Sequence, residues 1–132
     1  MIGTDDLSSA SRFVESVLND GRLELIDELI APNYLGHDRS RVVLTEGREG
    51  VRQLVAAWRR AFPDLEVQIE DHIREGDRVA MRWKARATAV LPEGERALEW
   101  SGVSLIRVLA GRHVESWTYW DAIVGNGLSW AV

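Results

Sequence analysis

Cysteine is absent from this chain of 132 residues. The absence excludes disulfide bonds, thiolate metal sites and a cysteine nucleophile, and it makes a reducing cytoplasm the expected compartment. No stretch approaches the roughly 20 apolar residues of a membrane span, and Met1–Asp6 has neither the basic start nor the apolar core of a signal peptide. The formal charge is -5, without a basic stripe. This charge argues against nucleic acids and anionic membranes as partners.

Several catalytic and cofactor motifs are missing as well. The chain contains no Gly-x-Ser-x-Gly nucleophile elbow, no phosphate-binding loop and no Gly-x-Gly-x-x-Gly. The nearest match to the last motif begins at Gly125, past the last predicted strand. His37, His72 and His113 lack carboxylate partners at ligand spacing. We therefore expect neither a metal nor another cofactor.

The apolar pattern divides the chain into helices followed by strands. Helical spacing predicts three helices, at about Ser8–Asn19, Arg22–Ile30 and Gly50–Ala61. The polar segment Asn33–Gly50 is predicted to be a long loop. Alternating residues predict four strands, at about Leu65–Glu70, Val79–Ala87, Ala97–Leu109 and Arg112–Asp121. The expected fold is one α+β domain over residues 1–132, with three N-terminal helices packed on a strongly curved antiparallel sheet that forms a cone with an internal pocket.

Six tryptophans are unusual in so short a chain, because each large ring must be buried in a core, an interface or a ligand pocket. Three of them fall on different predicted strands and could form an aromatic wall around a flat substrate, with core packing as the alternative. The residues predicted to contact substrate are Tyr34, Trp58, Trp83, Trp100, Trp117 and Tyr119. Trp120 is expected at a subunit interface, and Trp130 has no assigned role.

Asp121 ends the last predicted strand and is the main candidate for proton transfer. If that strand is regular, Asp121 shares a face with Tyr119, Trp117 and His113. At about 3.3 Å per residue Tyr119 lies roughly 7 Å away and His113 roughly 26 Å away. His113 is therefore too remote to act as its partner. The alternative is that Asp121 only caps the strand end by accepting main-chain N–H groups.

His37 is the second candidate for catalysis. It follows Tyr34 in the predicted loop, where a histidine could donate to a substrate carbonyl or relay a proton. The alternative is a surface histidine without a role. His72 and His113 are both expected to face solvent.

The order of several short motifs resembles the SnoaL-like polyketide cyclase family over nearly the whole chain. The shared segments are Ala61–Asp64, Glu75–Val79, Arg82–Trp83, Trp100–Gly102, Gly111–Trp117 and Trp120–Asp121. The resemblance implies the nuclear-transport-factor-2-like cone of ketosteroid isomerase and limonene epoxide hydrolase, a dimer or tetramer, and a deep pocket without a cofactor. It also implies an acidic residue at the position of Asp121 as the acid/base of an intramolecular aldol reaction. In one departure, a pocket histidine of the family is replaced by Ala89.

Three functions follow from these observations. The first is a cofactor-free cyclase or isomerase for a small hydrophobic, polycyclic or polyketide-like substrate, with Asp121 as general acid/base and His37 or Tyr34 at the oxyanion. The second is an epoxide-opening hydrolase or cyclase, which needs a second polar group, with Glu115, Glu99 and Asp38 as candidates. The third is a binding protein that retains the pocket without catalysis. A homodimer or homotetramer is expected in each case.

Overall fold

The computed structural model describes residues 9–40, 42–121, 123–125 and 128–130, and the side chains of the first two ranges. We number the helical segments α1 to α3 and the strands β1 to β8. The helical segments are α1 (residues 9–12, continuing as a π-helix over Phe13–Asn19), α2 (Ile26–Leu29, after a 3₁₀ turn at Leu23–Leu25) and α3 (Gly47–Ala61). The strands are β1 (Ile30–Asp38), β2 (Val43–Glu46), β3 (Glu66–Glu75), β4 (Arg78–Leu91), β5 (Gly94–Leu109), β6 (Arg112–Trp120), β7 (Ile123–Gly125) and β8 (Leu128–Trp130).

The sheet is mixed rather than purely antiparallel. Its strand order is β2-β1-β6-β5-β4-β3, with β7 and β8 attached beside β5. β1 pairs parallel with β6, and all the other pairs are antiparallel. The α+β class with helices on a curved sheet is confirmed, and the all-antiparallel prediction is wrong at this one pair.

The predicted loop Asn33–Gly50 is also wrong, because β1 ends in it, β2 lies inside it and α3 begins in it. β1 reads Ile-Ala-Pro-Asn-Tyr-Leu-Gly-His-Asp and has no apolar alternation. Its extended form depends on main-chain hydrogen bonds to two neighbouring strands. No local sequence pattern indicates this pairing. Tyr34 and His37, which were predicted to lie in this long loop, therefore lie on a paired strand.

The helices cover one face of the sheet, which we call the inner face. The alternation predicted for β4 is confirmed there: Val79, Met81, Trp83, Ala85 and Ala87 are all buried. Three clusters of buried apolar residues lie between this face and the helices. The core is therefore one-sided, and any cavity in it lies between helices and sheet.

The end of α1 is tied to β3 by polar contacts. The Asn19 side chain donates to the Val67 carbonyl at 2.9 Å and accepts from the Val67 N–H at 2.7 Å. Arg59 of α3 donates to the Asn19 carbonyl at 2.7 Å. Gly21 then turns the chain at φ +72°, which favours glycine. These contacts hold α1 over the sheet. Ser8, where the first helix is predicted to begin, lies outside the described residues.

A bulge in β6 decides which side chains reach the inner face. Arg107 pairs with Glu115, whereas the next residue, Val108, pairs with His113, so Val114 is an extra residue. The bulge reverses the alternation. His113 and Ser116 both lie on the inner face, and Glu115 lies on the opposite face, which we call the outer face.

Gly102 of β5 lies where two tryptophans of the neighbouring strands approach each other. A Cβ at Gly102 would collide with the Trp83 ring and would lie 2.6 Å from the Tyr119 carbonyl and 2.8 Å from Trp120 Cβ. We expect Gly102→Ala to lower the free energy of unfolding by about 2 kcal/mol through overpacking, measured by urea denaturation. Ser101→Ala, at the adjacent position, is the control and should stay near the wild-type value. Equal stability of Gly102→Ala and wild type would contradict this close packing.

Candidate functional site

A cavity of about 210 Å³ lies between the inner face of the sheet and the helices. It follows β6, whose lining residues in chain order are His113, Ser116, Thr118 and Trp120. At about 3.3 Å per residue, and allowing for the bulge, this path is roughly 20 Å long. The site is thus an elongated cavity with one end at His113 and the other at Trp120.

The walls of the cavity are mainly apolar and aromatic. Trp58 of α3 stacks on Trp100 of β5 with ring centres 5.8 Å apart, and it meets the edge of Trp120 at 6.2 Å. Trp83 lines the same space from β4. Of the predicted substrate contacts, Trp58, Trp83, Trp100 and Tyr34 therefore lie in the lining. Trp120, expected at a subunit interface, is in the lining too.

Trp117 and Tyr119 are not among the lining residues. Trp117 stacks on the His37 ring, with centres 5.3 Å apart and planes 11° apart, and Tyr119 is 56% exposed. Both follow the bulge at odd positions of β6, which places them on the outer face. The parity prediction that placed His113 on the same face as these two residues is wrong, because it assumed a regular strand.

His37 contributes to the lining, but its imidazole has another partner. Its Nε2 lies 2.8 Å from Glu115 Oε2, and its ring lies against Trp117. Glu115 and Trp117 are on the outer face, and register pairs His37 with Trp117. Glu115 lies 78 residues further along the chain, so this pair could not be recognised from ligand spacing in the sequence. The imidazole is engaged on the side of the sheet away from the cavity.

Two hydroxyl pairs provide polar groups on the inner face. Tyr34 Oη and Ser116 Oγ are 2.5 Å apart, and Ser104 Oγ lies 2.9 Å from Thr118 Oγ1. The indole N–H of Trp83 donates to Ser104 Oγ at 3.0 Å. Burial raises the pKa of Tyr34 above its ordinary value, although the bond to Ser116 opposes this. Tyr34 is therefore a neutral phenol at physiological pH.

Asp38 is the one carboxylate among the lining residues of the described side chains. Its two oxygens accept from the Trp120 indole N–H at 3.0 and 3.3 Å, and Oδ1 accepts from the Ser40 N–H at 3.1 Å. Ser40 Oγ in turn accepts from the Trp120 N–H at 2.7 Å. These bonds hold the carboxylate at the end of β1. Sequence reasoning named Asp38 only as an uncertain partner, because its place beside β6 depends on the parallel pairing.

Asp121 lies immediately after β6, is exposed, and is not among the lining residues. Its N–H donates to the Ser101 carbonyl at 2.9 Å, which continues the pairing with β5. The structure therefore does not bring Asp121 into the lining with Tyr34 and Asp38. Its catalytic role stays a prediction. Trp130 falls among the residues whose side chains are not described.

His113 was expected at the surface, and this prediction is wrong. The residue is 3% exposed, and its ring lies 5.4 Å from that of Phe13. Burial lowers its pKa from 6.5 to about 4, against the effect of a hydrogen bond to the main chain of Ser9. His72 is exposed, as expected. Over the residues with described side chains, no group of three or more histidine, aspartate or glutamate side chains could hold a metal ion.

No described helix is long and apolar enough to cross a membrane. No curated protein matches the chain. Among solved structures, it is similar to IdmH of Streptomyces antibioticus, a candidate polyketide cyclase, at 31% identity over 88% of this chain and 91% of that one, with a TM-score of 0.78.

Two further structures share the fold. A candidate polyketide cyclase of Acidithiobacillus ferrooxidans is 27% identical over 92% of this chain and 91% of that one, with a TM-score of 0.79. AclR of Streptomyces galilaeus, a candidate hydroxylase, is 24% identical over 89% of this chain and 79% of that one, with a TM-score of 0.74. The profile of the family described as SnoaL-like polyketide cyclase matches residues 8–124. The chain therefore belongs to the SnoaL-like polyketide cyclase family.

Proposed function

We propose that this protein closes a ring in a polyketide-like chain by an intramolecular aldol reaction, with Asp38 as the general base and acid. The observation that carries the proposal is the Asp38 carboxylate, which the Trp120 indole holds and which is the only carboxylate that the described side chains contribute to the lining of this elongated aromatic cavity. A carbon atom flanked by two carbonyl groups is comparatively acidic, so a nearby carboxylate can accept a proton from it. The role assigned by the resemblance to Asp121 is the competing assignment.

The proposed step balances in atoms and charge. Asp38 takes a proton from the carbon between two carbonyl groups, and the resulting enolate attacks a second carbonyl of the same molecule. One C–C bond forms, and the attacked carbonyl becomes an alkoxide. Protonated Asp38 returns its proton to that alkoxide, so that the product is an isomer of the substrate. The step requires no redox cofactor.

Tyr34 and Ser116 are suited to stabilise the developing oxyanion. Two hydroxyls carry two protons, and the bond between them uses only one. The other proton is available to donate toward the cavity. Because burial raises the pKa of Tyr34, the phenol keeps its proton until an oxyanion forms. Such donors act strongly in a site with little water.

The aromatic walls contribute by shaping the substrate. A flexible chain has many conformations, and catalysis of ring closure gains from holding the two reacting carbons in contact. Flat surfaces such as the stacked Trp58 and Trp100 favour a partly planar, conjugated chain. This argues for an apolar ligand rather than a highly charged one.

Epoxide opening has less support. That chemistry needs two facing polar groups, and two of its predicted partners are engaged elsewhere. Glu115 bonds His37 on the outer face, and exposed Glu99 lies 3.3 Å from Lys84. We also propose a cytoplasmic location, supported by the absence of cysteine, and a homodimer or homotetramer, supported by the family resemblance.

Blocking the cavity tests the proposal. Ala85 lines the cavity and is 1% exposed, so we expect Ala85→Leu to reduce kcat/KM for ring closure about tenfold, since one misplaced contact disturbs the near-attack geometry. The assay would follow cyclisation of a linear poly-β-ketone thioester by chromatography and NMR. Ala57→Leu makes the same change on the exposed side of α3 and should keep wild-type turnover.

Two outcomes would count against the proposal. Unchanged turnover in Ala85→Leu would place the reaction outside the cavity. Wild-type protein that binds ring-closed products but accelerates no cyclisation would be a binding protein. Circular dichroism of each variant verifies that loss of activity is not loss of folding.

A further inference from the structure

His113 has an unsatisfied polar atom at one end of the cavity. Its side chain belongs to the lining, yet the residue is only 3% exposed. Within the described part of the chain, Nε2 is buried and has no hydrogen-bond partner. Buried polar atoms are nearly always paired, so an orphaned one facing a cavity calls for a partner from outside the protein.

The hydrogen bond to Ser9 identifies the tautomer of His113. This bond raises the pKa of the imidazole, so the ring is the donor and the Ser9 carbonyl accepts. Since Nε2 is the atom without a partner, Nδ1 carries the proton and makes this bond. With a pKa of about 4, the ring is neutral at pH 7. Nε2 then holds a lone pair and can only accept.

Apolar lining residues lie beside His113. Ile30 is its register partner on β1, and the Phe13 ring lies with its centre 5.4 Å from that of the imidazole, at a tilt of 49°. A charged or strongly hydrated group would lose its water here without compensation. A donor carried on an aromatic or conjugated ring would keep its apolar contacts and still reach Nε2.

We propose that His113 Nε2 is a recognition site for a phenolic or enolic hydroxyl of the ligand, at the end of the cavity opposite Asp38 and Trp120. The inference rests on the proposed function, because an aldol ring closure of a polyketide-like chain produces enols and phenols. The proposal also predicts which ligand groups bind: this end of the cavity binds an O–H donor and disfavours a carbonyl or ether oxygen in the same place. His113 is a binding residue and takes no part in proton transfer.

A matched pair of probes tests this prediction without turnover. 2-Naphthol carries the hydroxyl, and 2-methoxynaphthalene replaces its proton by a methyl group. We expect wild-type protein to bind 2-naphthol about fivefold to tenfold more tightly by calorimetry, the range that one neutral hydrogen bond supports. In His113→Leu this preference should disappear. His72→Leu, at an exposed position, is the matched control and should keep the wild-type preference.

A measurement on wild-type protein covers the case in which His113→Leu does not fold. The ¹⁵N resonance of Nε2 should move toward the hydrogen-bonded range on addition of 2-naphthol and stay in place with 2-methoxynaphthalene. Equal affinity of the two probes for wild type, a preference that survives His113→Leu, or a ¹⁵N shift unchanged by bound 2-naphthol would each overturn the proposal. Failure of wild type to bind either probe would overturn it as well. The aldol proposal is judged separately, by turnover of the Asp38 and Ala85 variants.

Discussion

Asp38→Asn is expected to lower kcat for ring closure about 10²-fold to 10⁴-fold, the usual contribution of a positioned general base. The amide is close in shape to the carboxylate, and its oxygen can still accept from the Trp120 indole, which lies 3.0 Å away. The fold and the cavity should therefore persist, while the group that accepts the proton is lost. Initial rates with the linear poly-β-ketone thioester, at saturating concentration, measure the effect.

Asp121→Asn is the matched comparison, because it makes the same chemical change at the residue favoured by the family resemblance. Asp121 is exposed and outside the lining, so we expect this variant to turn over at close to the wild-type rate. A loss of activity in Asp121→Asn with full activity in Asp38→Asn would move the acid/base role to Asp121. It would also imply that the end of β6 closes over the substrate.

The second large effect concerns pH. Because His113 is buried, the free energy of unfolding is expected to fall by about 3 kcal/mol as the pH falls from 7 to 4. The pKa is about 4 in the folded chain and 6.5 in the absence of burial. Between these values the unfolded chain binds a proton that the folded chain does not. The contribution is therefore complete above pH 6.5 and is lost progressively as the pH falls toward 4.

Urea denaturation of wild type and His113→Leu at pH 7 and pH 4 isolates this contribution. Carboxylates titrate in both proteins, so the difference between the two pH dependences belongs to His113. Loss of the bond to Ser9 changes the free energy of unfolding of the variant at both pH values, so it does not affect that difference. His72→Leu should retain the wild-type dependence, since that side chain is exposed in the folded chain. Parallel pH profiles for wild type and His113→Leu would show that the imidazole is already accessible to water.

Both predictions concern residues that sequence reasoning placed elsewhere, whereas much of the framework was predictable. The alternation in β4 identified Val79, Met81 and Trp83 as inward-facing, and each is buried. Helical spacing located α3 to within three residues of its start and predicted its end at Ala61. Side chains in these elements repeat with the period of the backbone, so local pattern carries the information.

The functional side chains lie where that period fails. The extra residue at Val114 turns His113 inward and Trp117 outward, and a bulge leaves no mark in a hydrophobic pattern. Asp38 reaches the cavity because β1 pairs with β6, a strand about eighty residues further along the chain; register aligns Asp38 with Thr118. Local hydrophobic periodicity carries no information about contacts between residues so far apart in the sequence.

The amino-acid sequence by itself determined the α+β class and the exclusion of thiol chemistry, because composition and periodicity express which side chains are present and which surfaces must be buried. The family and its pocket followed from the resemblance carried by the order of its motifs. Only the tertiary structure decided which polar groups face that cavity. One residue of shift exchanges the two faces of a strand, and the bulge in β6 makes that shift. The bulge brings His113 to the cavity, and the pairing of β1 with β6 brings Asp38 there, whereas Asp121 is exposed beyond the end of the strand.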